Sequence, residues 1–216
     1  MKYDKKKAIE IIVRAAINYK KSLQDKEFLI IYQEKGTIKT VQVGFRENHF
    51  LHLTGVQTSL SAKRFYEKCV SHKLSLADIE LDKNGKAQQK LMVLPFLHEL
   101  LYHNCMIGDF IDSGICIKAD YFVGNTKAIL SVGFRFGKNV DIPVTLYKED
   151  IRKLSHPTNK VLAIFVKDYK KHSYTECTYL SKGQKLAKLL TIEVIGALVQ
   201  MDTESVDNGM KLSKRM

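Results

Sequence analysis

The sequence predicts an α+β fold, on three observations. The first two dozen residues carry a helical apolar stripe, the segments after them alternate as strands, and short β-type runs dominate from residue 115 onward. Ile9, Ile12, Val13, Ala16 and Ile17 recur at helical spacing, so residues 4–24 read as an amphipathic helix with lysines on its wet side. Such a stripe needs a sheet to cover. Residues 27–32 and 37–45 supply two strands, with Glu34, Lys35 and Gly36 as their hairpin turn.

Residues 49–54 are expected to continue or adjoin that sheet as a strand. Ala62, Phe65, Tyr66, Cys69 and Val70 return to helical spacing behind Ser59 or Ser61 as cap. A short strand over 79–83, a turn at Asn84-Gly85, and a helix over 86–105 broken or kinked at Pro95 follow. Strands are then expected over 115–119, 126–136, 140–147, 161–167 and 173–180, with a helical turn at 149–153. The run VLAIFV is apolar on both faces, which suits a central strand covered on both sides. Leu186, Leu189, Leu190, Val194 and Ala197 share a stripe, so residues 183–200 read as a last helix, and a polar tail begins at Met201. The expected division is one domain over residues 1–182, with a helix and a mobile basic tail over 183–216.

Composition narrows the function classes. The chain has 216 residues with 45% hydrophobic content, enough for a sizeable core and incompatible with disorder throughout. Its net charge of +12 is unevenly placed. Residues 1–60 carry 11 Lys and Arg against 6 Asp and Glu, residues 61–120 carry 8 of each, and residues 121–180 carry 10 against 5. A neutral middle between two basic thirds suits a basic face for a polyanion, although solubility alone also accounts for it. Cys69, Cys105, Cys116 and Cys177 form no CxxC pair, so neither a zinc site nor a disulfide framework is expected. The basic N-terminus is interrupted by Glu10 and Arg14 before any signal-length apolar run, and no stretch reaches about 20 apolar residues. The expectation is a cytoplasmic protein with no membrane partner.

The segment FRENHFLHLTG, residues 45–55, concentrates the chemistry. Read as a strand, it puts His52 and Thr54 on one face and Leu51 and Leu53 on the other, with Arg46 nearby. An imidazole, a hydroxyl and a guanidinium suit phosphodiester chemistry; a hydrogen-bonded core histidine beside a surface arginine is the bland reading. In the same strand His49 would face away from His52, unless a bulge intervened.

HFLHLTGV, then SAKRFYEKCV, KLMVLPFLHELLYHNCMIGDF and VTLYKEDIR, run in that order between about Tyr19 and about Tyr179. In this the chain resembles the phage-borne, fourth-type branch of the Barnase, EndoU, colicin and RelE-like nucleases. The resemblance implies a compact α+β RNase-like domain with helices on a bent antiparallel sheet, met in phages and other mobile elements and acting as a toxin or host-directed nuclease. It implies RNA as partner and admits a neutralising immunity or antitoxin protein.

Metal-independent RNA cleavage needs a base for the ribose 2′ hydroxyl, an acid for the departing 5′ oxygen, and cations for the phosphorane. His52 is the first choice for proton transfer, Thr54 for a hydrogen bond to a nonbridging oxygen, and Glu176 for the partner acid or base. Arg46, Lys127, Arg135, Lys148, Arg152 and Tyr174 are the candidates for substrate binding. Each has a bland alternative: Glu176 as an edge-strand charge, Lys148 and Arg152 as part of a solvated helix start. The acids are scattered rather than clustered in motif spacing, so no metal and no cofactor is expected. The rival from another class is a noncatalytic basic nucleic-acid-binding protein on the same scaffold.

Overall fold

The computed structural model describes residues 3–111, 119–125, 129–174, 176–185 and 189. Asp4 caps the first helix, α1 (Lys5–Ser22), its carboxylate accepting from the Lys7 amide at 2.7 Å. The hairpin β1 (Lys26–Glu34) and β2 (Thr37–Phe45) follows as the alternation predicts, in register from Lys26 opposite Phe45 to Glu34 opposite Thr37. A short α2 (Phe50–Thr54) and α3 (Ala62–Val70) come next, the latter capped by Ser61. Then α4 (Lys86–Val93) passes at Leu94 into a 3-10 stretch, Leu94–Tyr102, with Pro95 at its start.

Six antiparallel strands and one short helix complete the described fold: β3 (Met106–Phe110), β4 (Tyr121–Asn125), β5 (Leu130–Arg135), β6 (Ile142–Tyr147), α5 (Ile151–Leu154), β7 (Ser155–Asp168) and β8 (Glu176–Leu180). The sheet order is β2-β1-β7-β3-β4-β5-β6, with β8 also paired to β7. Long β7 joins the two halves. Residues 161–168 pair with β1, and residues 155–160 pair with β3. The sheet curls until its first and last strands touch: the Gly44 amide donates to the Asp141 carbonyl at 2.9 Å, and the Asp141 amide to the Gln42 carbonyl at 2.8 Å. Glycine at position 44 suits this approach, because a Cβ there would stand 2.8 Å from Cγ1 of Val140 and force that side chain to shift.

Alternation along β1 sorts the interior. Phe28 and Ile30 join the main core with Ile12, Tyr19, Phe45, Phe50, Leu53 and Phe65, under the helices. Leu29 and Ile31 lie on the opposite face with Leu162, Ala163 and Leu189. Both faces of the middle strands are covered, as the apolar VLAIFV run requires.

Three expectations are corrected. Residues 49–54 are not a strand but a 3-10 turn, Glu47–His49, followed by α2, because Phe50, Leu53 and Thr54 bury at helical spacing. Residues 79–83 form no strand beyond one bridge, Glu80 to Gln57. The helix expected through residue 105 stops at Tyr102, and β3 follows it. Lys127, Cys116, most of the 115–119 segment, most of the expected last helix and the tail lie outside the described residues. No described helix is long and apolar enough to cross a membrane.

Candidate active site

Where β1, β2 and β7 end together, the outer face of the sheet holds a cavity of about 440 Å³. Glu27 forms its floor. It stands opposite Gly44 on β2 and opposite Lys167 on β7, on the face away from the helices. One carboxylate oxygen lies 3.1 Å from Nη2 of Arg46, the other 3.2 Å from Nζ of Lys167. Glu27 and Lys167 side chains are 4% and 1% exposed, so the pair is withdrawn from solvent. A buried carboxylate needs such partners to stay charged.

Arg46 is held at every polar group. Its amide donates to Nδ1 of His49 at 3.2 Å, and its carbonyl accepts from the buried Tyr19 hydroxyl at 2.9 Å. Its guanidinium lies 3.4 Å above the centre of the Tyr169 ring, a stacked cation–π contact. Tyr169 is placed by its own amide, which donates to the Asp25 carbonyl at 2.9 Å. A cation fixed this way meets an anion without first losing rotamer freedom.

The walls add Lys138, Lys170 and Lys171 to Arg46 and Lys167, against Glu27 as the one carboxylate of the described lining. Two imidazoles, His49 and His172, also line it. Burial, then Arg46, then His52 bring His49 down to about 4, so it is neutral at pH 7. Because its Nδ1 accepts from Arg46, its remaining proton is on Nε2.

The sequence-predicted residues are distributed unevenly around this cavity. Arg46 lies in its wall. Tyr174 lies beneath it, the ring 5.3 Å from Nζ of Lys167 and the hydroxyl 3.3 Å from Oε1 of Gln42; burial pushes its phenol up. His52 is exposed on α2. The helix reverses the expected geometry of the two histidines, since residues three apart share a helical face, and His52 acts electrostatically on His49.

Thr54 is fully buried, its hydroxyl donating to the Leu51 carbonyl at 2.8 Å and accepting from the Val56 amide at 3.3 Å. It closes α2 rather than facing the cavity. Glu176 pairs across from Val166, whose side chain belongs to the main core face, so it lies on the opposite side of the sheet from Glu27. Arg135 stands opposite Ile142 in the β5–β6 register. Arg152 is exposed and engaged with Asp150 at 2.6 Å. Lys148 lines a second cavity, away from Glu27.

Sequence reasoning passed over Glu27, Lys167, Tyr169 and His172. Glu27 and Lys167 are charges at the ends of apolar strands, which reads as solvation; the available signal was that each begins or ends a run that is apolar on both faces. Among the described residues no group of three His, Cys, Asp or Glu side chains is placed to hold a metal ion.

A helix-backed, curled antiparallel sheet is consistent with the barnase/EndoU-like nuclease fold. Over residues 11–183 the sequence matches the family described as phage-Barnase-EndoU-ColicinE5/D-RelE like nuclease 4, and the chain belongs to that family. No curated protein and no solved structure matches it.

Proposed function

We propose that the chain is a metal-independent endoribonuclease whose active centre is the cavity over Glu27. The observation that carries this reading is the carboxylate fixed between Arg46 and Lys167 at the bottom of an open, lysine-walled cleft that two imidazoles also line. Those groups match the needs of transesterification. Glu27 takes the proton of the 2′ hydroxyl as the 2′ oxygen attacks phosphorus. The bond from phosphorus to the 5′ oxygen breaks, and His172, on the rim, delivers a proton to that oxygen. A 2′,3′-cyclic phosphate and a 5′ hydroxyl result. Arg46, Lys167 and the wall lysines carry the charge that develops on the nonbridging oxygens, and the neutral His49 offers its Nε2 proton to one of them. Tyr169, 55% exposed, offers a ring on which a base can stack.

Cleavage by this route needs the 2′ hydroxyl. The test is an RNA oligonucleotide beside its DNA counterpart, in EDTA: fragments ending in cyclic phosphate from RNA alone support the reading, and equal cutting of DNA or complete loss in EDTA refutes it. A noncatalytic nucleic-acid-binding role has its own support in the engagement of both Glu27 oxygens, and retention of RNA without fragments would favour it. The phage association in the family's description supports reading the activity as that of a mobile-element effector, a toxin acting on RNA in the cytoplasm. An immunity protein for it would cover the cleft with acidic side chains.

A further inference from the structure

A second cavity, of about 480 Å³, opens between α4 and β6. Lys86 and Lys90 enter it from α4 and Lys148 from the end of β6, with Gln89, Thr145 and Tyr147, and no carboxylate is among its described lining residues. Lys90 is built into it. Its Nζ donates to the His52 carbonyl at 2.9 Å and to the Thr145 hydroxyl at 3.2 Å. Both acceptors are neutral, and an ammonium has a third proton to give. Burial and then the neighbouring Lys86 bring Lys90 down to about 8, the sign of a cation whose charge is not offset nearby. Lys148 has Sδ of Met92 at 3.2 Å, a weak acceptor.

The two cavities share their framework. α2 lies between them: His49 lines the first, and the His52 carbonyl, one turn on and about 5 Å along the axis, anchors Lys90 in the second. β6 likewise begins at Ile142 in the wall of the first and reaches Thr145 and Tyr147 in the wall of the second. Its run from Ile142 to Tyr147 covers about 16 Å, the reach of a few nucleotides of extended single strand.

We propose that the α4–β6 cavity is a second phosphate-binding subsite, in which Lys86, Lys90 and Lys148 hold a backbone phosphate of the same RNA strand a few nucleotides from the bond cut over Glu27. The assignment rests on the nuclease reading for its choice of ligand. It makes the enzyme favour strands long enough to span both cavities. Lysines without a carboxylate among them bind phosphate as point charges, indifferent to base identity.

The test uses an octanucleotide with 2′-O-methyl riboses, which binds but cannot be cut, beside a dinucleotide of the same chemistry. The full chain is acylated with an amine-directed reagent at pH 8 and the rate at Lys90 followed by mass spectrometry. The octanucleotide is expected to slow Lys90 labelling at least fivefold and the dinucleotide to leave it unchanged. A Lys86→Gln, Lys90→Gln, Lys148→Gln variant is expected to bind the octanucleotide at least tenfold more weakly. Equal labelling of Lys90 with and without octanucleotide, or an affinity of the variant within twofold of the parent, overturns the proposal. Neither readout requires cleavage. Protection of Lys90 in a protein that leaves unmodified RNA intact would sustain the subsite and refute the nuclease reading.

Discussion

Arg46 shows how one side chain is made into part of a site. Its amide, carbonyl and guanidinium are each committed, to His49, Tyr19, and Glu27 with Tyr169. Glu27 and Lys167, beneath it, form a pair whose halves are costly alone. Replacing Lys167 by Met leaves the carboxylate with one partner and is expected to destabilise the fold by about 3 kcal/mol, measured by urea unfolding. The double variant Glu27→Gln, Lys167→Met removes both charges and is expected to recover most of that loss; strictly additive losses would show that the pair is not coupled. His49 supplies a pH signature. Its folded value, about 4, lies below the ordinary 6.5, so between those values the unfolded chain binds the extra proton and the folded chain does not. Its contribution is therefore full above pH 6.5 and shrinks as pH falls toward 4. Asn at position 49 can still accept from the Arg46 amide but does not titrate, so His49→Asn is expected to lose less thermal stability from pH 7 to 4 than the parent does.

At the scale of elements, α2 is where the sequence misled and where the reason is plain. HFLHLT is six residues of mixed apolar and polar character, short enough to satisfy either a two-residue or a helical period. The choice is made by tertiary packing: Phe50 and Leu53 fill the core beside Tyr19 and Tyr66, and Gly55 ends the helix at φ +74°. Gly55 also lets α4 approach, since a Cβ there would lie 3.2 Å from the Cα of Ala87 and 2.7 Å from Cδ of Lys90. Gly55→Ala is expected to cost about 1–2 kcal/mol in unfolding free energy; a neutral result would mean that α4 yields freely. Long periodic segments were legible in advance: α1, the β1–β2 hairpin, α3 and the apolar middle of β7 all stand where their patterns put them. Of the residues at the proposed site, the sequence singled out Arg46 and the nearby Tyr174. Glu27 and Lys167 sit 140 positions apart in the chain, and only the β1–β7 register brings them opposite.

For the whole molecule, the uneven charge of the sequence becomes a shape. The sheet curls until the 138–142 segment reaches β2, so lysines from the far half of the chain join Arg46 and Glu27 from the near half. The two basic thirds of the sequence meet at one cleft, while the neutral middle supplies α3 and α4 behind it. Binding to RNA is accordingly expected to weaken steeply with salt, with log Kd against log salt showing a slope of several units. A salt-independent affinity would show that the lysines of the cleft do not meet phosphates. The most direct measurement is RNA cleavage in EDTA by purified parent, Glu27→Gln and His52→Ala proteins, each confirmed folded by circular dichroism. The parent is expected to release fragments ending in 2′,3′-cyclic phosphate, Glu27→Gln to be slowed at least a hundredfold, and His52→Ala, on the exposed side of α2, to keep most of its rate. Full activity in Glu27→Gln with loss in His52→Ala would contradict the account and move the active centre out of the cleft onto α2.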